Sequence, residues 1–204
     1  MKLTDTKLEG FVAEVASVSP APGGGSVAAL SGTLAAALTS MVANNALKKK
    51  KVDRQAVKEL LDELLPLRES LLAAVDADTD AFNLVMKALA LPKDPPDVRQ
   101  RALVHATKQA TRVPLQVVEH CALLTDIMVK VTAHARKSLA SDLGVGVETL
   151  ACAVQGAAYN VLINLPGLSD APFVADTHRR LEKAQATARD NLEVVREWVE
   201  KRLS

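Results

Sequence analysis

Apolar residues recur at intervals of three and four along nearly the whole chain, and this spacing predicts α-helices. The first helix is signalled by Thr6 and Glu9, which have the spacing of a capping box. One face of this helix then carries Leu8, Phe11, Val12 and Val15. A second helix is expected from an N-cap at Ser26 to about Leu47.

The third predicted helix is long and has a regular apolar seam. Asp53 is the expected N-cap, the helix runs to about Ala90, and Pro66 is expected to kink it near the middle. Its seam advances in alternating steps of three and four residues through Val57, Leu60, Leu64, Leu67, Leu71, Val75, Asp78, Phe82, Val85 and Leu89. Asp78 is the member of this seam that is not apolar.

Three further helices follow a turn at residues 92–96. The fourth is expected to start at Asp94 or Asp97 and to be interrupted or kinked at Pro114. The fifth begins near Ser141 and runs almost without charge to Asn164. The sixth begins at Asp170 and has a buried stripe of Leu181, Ala184, Ala188, Leu192, Val195 and Trp198.

These elements predict an all-α fold with a single domain over residues 1–204. The chain shows no alternating strand pattern, no linker and no internal repeat. Hydrophobic residues make up 49% of the chain but aromatic residues only 2%, so Ala, Leu and Val must fill the core, which favours helices. We expect a bundle of about six helices, with the second and fifth as buried apolar helices at its centre.

The second helix raises the question of a membrane, because no charged residue lies between Glu14 and Lys48. Its central part, however, is rich in Ala, Gly, Ser and Thr and poor in bulky side chains that would face lipid. A helix buried on all sides by protein has the same composition, and we favour that interpretation. Because 25 basic residues nearly cancel 24 acidic ones, we expect neither a nucleic acid nor a membrane as partner.

The cysteines and the amino terminus suggest a location. Cys121 and Cys152 lie in apolar stretches, which favours buried, reduced thiols over a disulfide. The first residues, Met1 to Asp5, lack the form of a signal peptide. We therefore expect a cytoplasmic protein.

The Gly-rich segment from Ser19 to Ser26 is the first candidate for chemistry. Three consecutive glycines before a helix leave backbone N–H groups accessible beside the positive end of the helix dipole, which suits an anionic or polar ligand. A turn that only allows two helices to pack explains the segment equally well. Farther along this helix, Thr33, Ser40 and Asn44 form a polar strip. Hydroxyl groups bond back to the preceding turn, so Asn44 is the better candidate for a ligand contact.

Asp78 is the second candidate, because its position in the apolar seam directs its carboxylate inward. Burial disfavours the charged form, and a carboxyl group with a raised pKa is a suitable general acid near neutral pH. The alternative is a structural carboxylate held by a buried Arg or by an N-terminal amide. Asp76 and Asp80 fall on other faces and are expected to be solvated. The four histidines show no metal spacing, and no metal is expected.

Several of these segments resemble one known family, that of the formimidoyltetrahydrofolate cyclodeaminases and methenyltetrahydrofolate cyclohydrolases. The resemblance lies in residues 19–26 and 41–44, in the Asp-x-x-Ala-Phe pattern that ends at Phe82, in Val113-Pro114, in residues 141–145 and in residues 158–165. The motifs occur in order along nearly the whole chain. This sequence departs from the family pattern at Ala135-Arg136 and at Val52.

The resemblance implies an all-helical, dimeric enzyme that acts on a one-carbon unit between two nitrogens of tetrahydrofolate. The family's acid falls on Asp78. Other motif positions are implied to bind or support the substrate, a tetrahydrofolate derivative, and no separate cofactor is expected. They are Pro22, Gly23, Gly24, Gly25, Ser26, Asn44, Ser141, Asp142, Asn160 and Asn164. The run from Lys48 to Lys51 is either a solvated helix end or, through Lys49 and Lys50, a contact for a polyglutamate tail.

Three functions follow from these expectations. The first is a methenyltetrahydrofolate cyclohydrolase, which opens 5,10-methenyltetrahydrofolate to 10-formyltetrahydrofolate. It is favoured because this sequence shows no formiminotransferase segment. The second is a formimidoyltetrahydrofolate cyclodeaminase, in which Asp78 protonates the leaving ammonia. The third, motivated by the departures at Arg136 and Val52, is a helical dimer that binds folate, or has only a structural role, without catalysis.

Overall fold

A computed structural model describes residues 2–93 and 96–204, and within these ranges the chain is an all-α bundle. The six helices are α1 (Leu8–Val15), α2 (Gly24–Ala46), α3 (Arg54–Leu89), α4 (Pro96–Thr132), α5 (Ala140–Asn164) and α6 (Ala171–Leu203). Short 3₁₀ turns at Leu3–Asp5, Lys137–Leu139 and Leu165–Gly167 complete the structure. The predicted fold class and number of helices are confirmed.

Side-chain caps define two of the helix starts as predicted. Asp53 accepts a hydrogen bond from the Ala56 N–H at 3.0 Å, and Asp170 accepts one from the Phe173 N–H at 3.1 Å. The start of α5 also lies within one residue of its predicted position. Both α3 and α4 continue as helices through their internal prolines, Pro66 and Pro114. Of the two possibilities expected at Pro114, an interruption or a kink, the interruption is therefore wrong.

Two predicted helix starts are wrong, and a third is tested only in part. Lys7, not Thr6, is the N-cap of α1, because the Thr6 hydroxyl donates to the Leu3 carbonyl instead. For α2 the N-cap is Gly23, which places Ser26 inside the first turn. Since α4 already begins at Pro96, Asp97 lies within that helix, and Asp94 lies outside the described residues.

The apolar helices α2 and α5 lie side by side at the centre of the bundle and run in opposite directions. A Cβ atom at Gly156 would meet Ala28 at 3.3 Å, and one at Gly146 would meet Leu38 at 3.5 Å, so residue numbers rise on one helix as they fall on the other. The helices α3, α4 and α6 cover this pair. Each central helix nevertheless leaves one face uncovered, so the expectation of helices buried on all sides is only partly met.

Burial also shows how α2 relates to the membrane question. By length and composition alone, the segment Gly24–Ala46 is apolar enough to cross a bilayer. However, 61% of its most apolar window is buried inside the bundle, as in a core helix. The predicted apolar stripes of the outer helices are buried to different extents. The stripe of α6 is buried from Leu181 to Val195, whereas on α1 only Phe11 is buried.

The two cysteines differ from each other, contrary to expectation. Cys121 is fully buried on α4, and this burial raises the pKa of its thiol to about 12. Cys152 is exposed on α5, so the prediction that it is buried is wrong. Its helix is apolar, but the side chain points to the uncovered face of that helix. Both thiols are free.

Candidate functional site

A cavity of about 370 Å³ lies where the Gly-rich loop meets the carboxyl end of α5. Four segments form its walls: the Gly-rich loop with the first turn of α2, the last third of α3, the middle of α4 and the last turns of α5. Several residues predicted for the site line this cavity together, namely Gly23, Gly24, Gly25, Asp78, Asn160 and Asn164. The fold thus brings the Gly-rich motif, the seam aspartate and the asparagine motif to one place.

Asp78 lies against the first turn of α2. Both the backbone N–H and the hydroxyl of Ser26 donate hydrogen bonds to its carboxylate, the hydroxyl at 3.2 Å from Oδ2. The same hydroxyl lies 2.9 Å from the Val75 carbonyl oxygen, so its one hydrogen is shared between two acceptors. Asp78 therefore occupies the position of an N-terminal cap supplied by another helix, which was the structural alternative to a catalytic acid.

The protonation of Asp78 reflects two opposing effects. Burial raises the pKa of this carboxyl above its ordinary value of 3.8, and the hydrogen bonds from Ser26 lower it. Burial is the larger effect, so the net shift is upward. Asp78 is consequently better suited to exchange a proton near neutral pH than an exposed aspartate is.

Gly25 is the residue that allows this contact between α2 and α3. A Cβ atom at this position would lie 2.1 Å from Asp78 Oδ1 and 2.4 Å from its Cγ, well inside van der Waals contact. At Gly24 the corresponding atom would lie 3.5 Å from Asn160 Nδ2, an ordinary contact. The glycines are therefore not equivalent, and Gly25 is required for close approach of the Asp78 carboxylate.

Two asparagines on α5 present their side chains to the cavity. Asn160 donates its amide to the Gly156 carbonyl at 2.9 Å. Asn164 donates to the Ala110 carbonyl at 3.0 Å and to the Asn160 carbonyl at 2.9 Å. Because both amide hydrogens of Asn164 are engaged, its Oδ1 atom is the group available to a ligand, as an acceptor.

The other side of the Gly-rich loop borders a second cavity of about 760 Å³. Pro22 faces this second cavity and not the one that contains Asp78, which separates it from the other predicted site residues. Asp76 also borders it and accepts hydrogen bonds from the Leu3 N–H and, at 2.6 Å, from the Thr4 hydroxyl. The expectation that Asp76 is solvated is therefore wrong, because the amino-terminal segment folds back onto α3.

The remaining predicted site residues lie at the opposite end of the bundle. Asn44 is 19 residues beyond Gly25 on α2, a separation of about 28 Å along the helix axis. Ser141 and Asp142 are in the first turn of α5, about 27 Å from Asn160. Within one chain, then, these residues do not contact the cavity.

The side chains of Asn44 and Lys49, at the opposite end of the bundle, form structural hydrogen bonds. The amide of Asn44 bonds back to the Ser40 carbonyl at 2.9 Å, as Ser40 and Thr33 do to their own preceding turns, so the argument that singled out Asn44 is wrong. Lys49 donates to the carbonyl oxygens of His134 and Ala135, at 2.7 and 2.9 Å, just beyond the end of α4. Lys50 is exposed.

Sequence reasoning missed the apolar walls of the cavity. Phe82 and Val85 were assigned to the buried seam of α3, but both are half-buried and face the cavity, while Ala81 and Ala88 take the buried positions. Ile163 contributes a third apolar wall and is 79% exposed. Its position next to Asn164 in the sequence is the signal that could have predicted a place at the cavity. Among the described residues, no group of three His, Cys, Asp or Glu side chains has the arrangement of a metal site.

Comparison with known proteins identifies relatives over most of the chain. Residues 7–183 match the formiminotransferase-cyclodeaminase family. The chain is 37% identical over 186 residues to a methenyltetrahydrofolate cyclohydrolase of Methylorubrum extorquens, and the match covers 89% of each protein. It is also 37% identical over 198 residues to the formimidoyltransferase-cyclodeaminase of Mus musculus. That match covers 95% of this chain but only 37% of the mouse protein.

A solved structure has the same fold. The crystal structure of a formiminotetrahydrofolate cyclodeaminase from Thermotoga maritima superposes with a TM-score of 0.91 and covers 100% of both chains. Its sequence is 29% identical to this one. The agreement extends over all six helices, including the antiparallel pair that carries the Gly-rich and asparagine motifs.

Proposed function

This chain belongs to the formiminotransferase-cyclodeaminase family, and on that premise we propose that it is a methenyltetrahydrofolate cyclohydrolase. The observation that carries the proposal is Asp78, a carboxyl group with a raised pKa in a cavity beside two asparagine side chains. The choice of reaction is supported by the Methylorubrum cyclohydrolase, which matches over 89% of both chains.

In the proposed reaction, water attacks the methenyl carbon that joins N5 and N10 of the substrate. The ionised form of Asp78 removes a proton from this water as the new C–O bond forms. The bond from carbon to N5 then breaks, and Asp78 returns the proton to N5 as a general acid. The hydroxyl group now on this carbon loses its remaining proton to solvent as the formyl C=O bond forms. The products are therefore 10-formyltetrahydrofolate and one proton, and the reaction consumes one water and needs no further reactant.

The other cavity residues position the substrate in this proposal. The Oδ1 atom of Asn164 accepts from the folate ring, and Asn160 lies one turn before it on the same face of α5. Phe82, Val85 and Ile163 provide apolar contact for the ring system. A tetrahydrofolate derivative is thus the proposed ligand. Separately, we propose a homodimer as the assembly and the cytoplasm as the location.

The proposal is tested by incubating the protein with 5,10-methenyltetrahydrofolate and following the loss of methenyl absorbance. Asp78→Asn keeps the size of the side chain and removes its acid–base function, so turnover should fall by about 10²- to 10⁴-fold. Asp80→Asn is the matched control, because Asp80 is exposed on the same helix and lies outside the cavity lining. Unchanged turnover in Asp78→Asn would remove Asp78 from the mechanism.

A formimidoyltetrahydrofolate cyclodeaminase is the second candidate, supported by the Thermotoga protein with that name, which matches over 100% of both chains. In that reaction one folate nitrogen attacks the formimino carbon, ammonia leaves, and Asp78 protonates it. Formimidoyltetrahydrofolate with an ammonia assay distinguishes the two. Ammonia release with formation of the methenyl band would establish the cyclodeaminase. If neither substrate turns over but reduced folates bind, the third alternative of a non-catalytic folate-binding dimer applies.

A further inference from the structure

The antiparallel hairpin of α3 and α4 extends well beyond the cavity that contains Asp78. At the level of the cavity, Asp78 on α3 and Ala110 on α4 line the same space. Nearer the turn between the two helices, the Arg99 guanidinium on α4 donates to the Leu89 carbonyl on α3 at 3.2 Å. On each helix the second residue is 11 positions from the first, which is about 16 Å and about three turns. Residues three turns apart share a face, so Arg99 lies on the cavity side of α4.

The rest of the bundle ends before the hairpin does. Helix α5 stops at Asn164, whose amide donates to the Ala110 carbonyl. The turn that follows α5 passes Thr107, which a Cβ atom at Gly167 would approach to 4.0 Å. Beyond this level, within the part of the chain that the structure describes, the face of α3 that lines the cavity is open, and Leu89 on that face is 43% exposed.

This open face prolongs the cavity as a groove along α3, from Asp78 to Arg99. Phe82 and Val85 line the cavity. Leu89 continues the same face, because it follows Val85 by four residues, about one helical turn. A ligand that leaves the cavity along this groove therefore contacts apolar side chains first and a guanidinium group last.

Arg99 has binding capacity that the chain itself does not use. Its side chain is half-buried, and among the described residues its enclosed Nε atom has no hydrogen-bond partner. The bond to Leu89 uses one of the five N–H donors of the guanidinium. The ion pairs formed by the described residues do not include Arg99, whereas Arg101 on the same helix pairs with Asp97 at 3.6 Å. A cap on the last turn of α3 explains the bond to Leu89 but leaves the charge and the other donors of Arg99 unused.

The proposed substrate carries suitable groups in the order that the groove requires. From the methenyl carbon, bonds lead through N10 to a para-aminobenzoyl ring and then to a glutamate. The two carboxylates of this glutamate are nine and eleven bonds away, and since three bonds of an extended chain span about 3.5 Å, they lie about 10 and 13 Å from the methenyl carbon. A hydrogen bond to a guanidinium adds about 3 Å. The total of about 13 to 16 Å fits the groove.

We infer that Arg99 binds a carboxylate of the substrate's glutamate and that the groove thereby selects folates over pteroates, which lack the glutamate. The identity of the ligand rests on the proposed function. The planar guanidinium presents paired N–H donors that match a carboxylate. Because this carboxylate lies far from the reacting carbon, its binding stabilises the bound substrate and the transition state equally. Arg99 therefore lowers KM and leaves kcat unchanged.

Binding without turnover tests the inference first. Isothermal titration calorimetry compares 5-formyltetrahydrofolate with 5-formyltetrahydropteroate, the same compound without its glutamate. In Arg99→Met, which keeps an apolar stem, affinity for the folate should fall about 10- to 100-fold, as expected for the loss of a charge-assisted pair. Affinity for the pteroate should change by less than about twofold. Arg101→Met is the matched control, because it removes a guanidinium that is 76% exposed and already paired with Asp97.

Two results of this titration would overturn the inference. An equal loss of affinity for both ligands would mean that Arg99 only caps α3, and an unchanged affinity for the folate would mean that Arg99 does not contact it. Circular dichroism verifies that each variant is folded. Arg99→Lys provides a milder change that keeps the charge and loses the paired donors, so its affinity for the folate should lie between those of the parent and of Arg99→Met.

Steady-state kinetics separates binding of the glutamate from an effect on the reacting groups. With 5,10-methenyltetrahydrofolate, Arg99→Met should raise KM by about 10- to 100-fold at unchanged kcat. A fall in kcat at unchanged KM would contradict the assignment, because it would mean that Arg99 positions the reacting groups.

Failure of the proposed function would be recognised separately. If the parent protein prefers the folate to the pteroate and Arg99→Met abolishes this preference, the role of Arg99 stands even when no methenyl substrate turns over, and only the reaction is wrong. If the parent protein binds the two ligands equally, or binds neither, the inference is overturned whatever the turnover.

Discussion

Gly25→Ala tests the contact between α2 and α3 on which the candidate site depends. The added Cβ atom would lie 2.1 Å from Asp78 Oδ1, and an ordinary contact is at least 3.4 Å, so the carboxylate must retreat by about 1.3 Å. That displacement breaks the 3.2 Å hydrogen bond from Ser26. Since a misplacement of about 1 Å at a reacting group costs about 10²-fold in rate, we expect kcat/KM to fall by about that factor.

The expected effect on stability separates this mechanism from simple unfolding. Alanine is favoured over glycine within a helix by about 1 kcal/mol, which offsets part of the strain from moving Asp78. The variant should therefore remain folded, with only a small change in thermal unfolding temperature. Gly10→Ala is the matched control, because it makes the same exchange in α1, where the nearest atom outside the helix backbone is 3.9 Å away.

Steady-state kinetics on 5,10-methenyltetrahydrofolate, together with circular dichroism, is the appropriate assay. Gly24→Ala provides an intermediate case, since its Cβ would only contact Asn160 at 3.5 Å, and its loss of activity should be less than about tenfold. If Gly25→Ala were as active as Gly10→Ala, the close approach of Asp78 to α2 would not matter for the reaction, and the argument from this glycine would be refuted.

Three further predictions concern charged residues. The pKa of Asp78 is raised in the folded state, so its contribution to stability is present below about pH 4 and is lost as the pH rises through the raised value. The unfolding temperature of Asp78→Asn relative to the parent should therefore increase from about pH 4 to about pH 7, and a constant difference would contradict this. Asp76→Ala removes the acceptor for the Leu3 and Thr4 donors and should cost about 1 to 3 kcal/mol in chemical denaturation, whereas Asp80→Ala should cost less than about 0.5. Lys50→Ala should raise KM for a polyglutamylated folate more than for the monoglutamate, and equal effects on both would exclude a tail contact.

Local sequence signals predicted the helices well because caps and apolar seams act over a few residues. Asp53 and Asp170 begin their helices as expected, and both cap hydrogen bonds are present. The seam of α3 also identified Asp78 as an inward-facing carboxylate. The seam did not predict the burial of Phe82 correctly, because this side chain faces a cavity formed with α5 and the loop before α2. No pattern within α3 encodes that cavity.

The candidate site was predicted only in part, because its assembly depends on how helices lie against each other. The contact between Gly25 and Asp78 needs a particular axial position of α2 against α3, which spacing along either helix does not determine. The exposed Cys152 illustrates the same limit, since an apolar helix with one open face has the same composition as a helix buried on all sides. The order of the motifs likewise does not show that Asn44 and Asp78 lie at opposite ends of the bundle.

The antiparallel pairing of α2 and α5 has a consequence for how the proposed reaction ends. The carboxyl end of α5, with its partial negative charge, borders the cavity at Asn164, and the carboxylate of Asp78 lies opposite. The cationic methenyl centre of the proposed substrate is attracted by both, whereas the uncharged formyl group of the product is attracted by neither. The binding free energy gained from charge on entry is thus absent once water has been added, and the same fold that draws the substrate in favours the departure of the product.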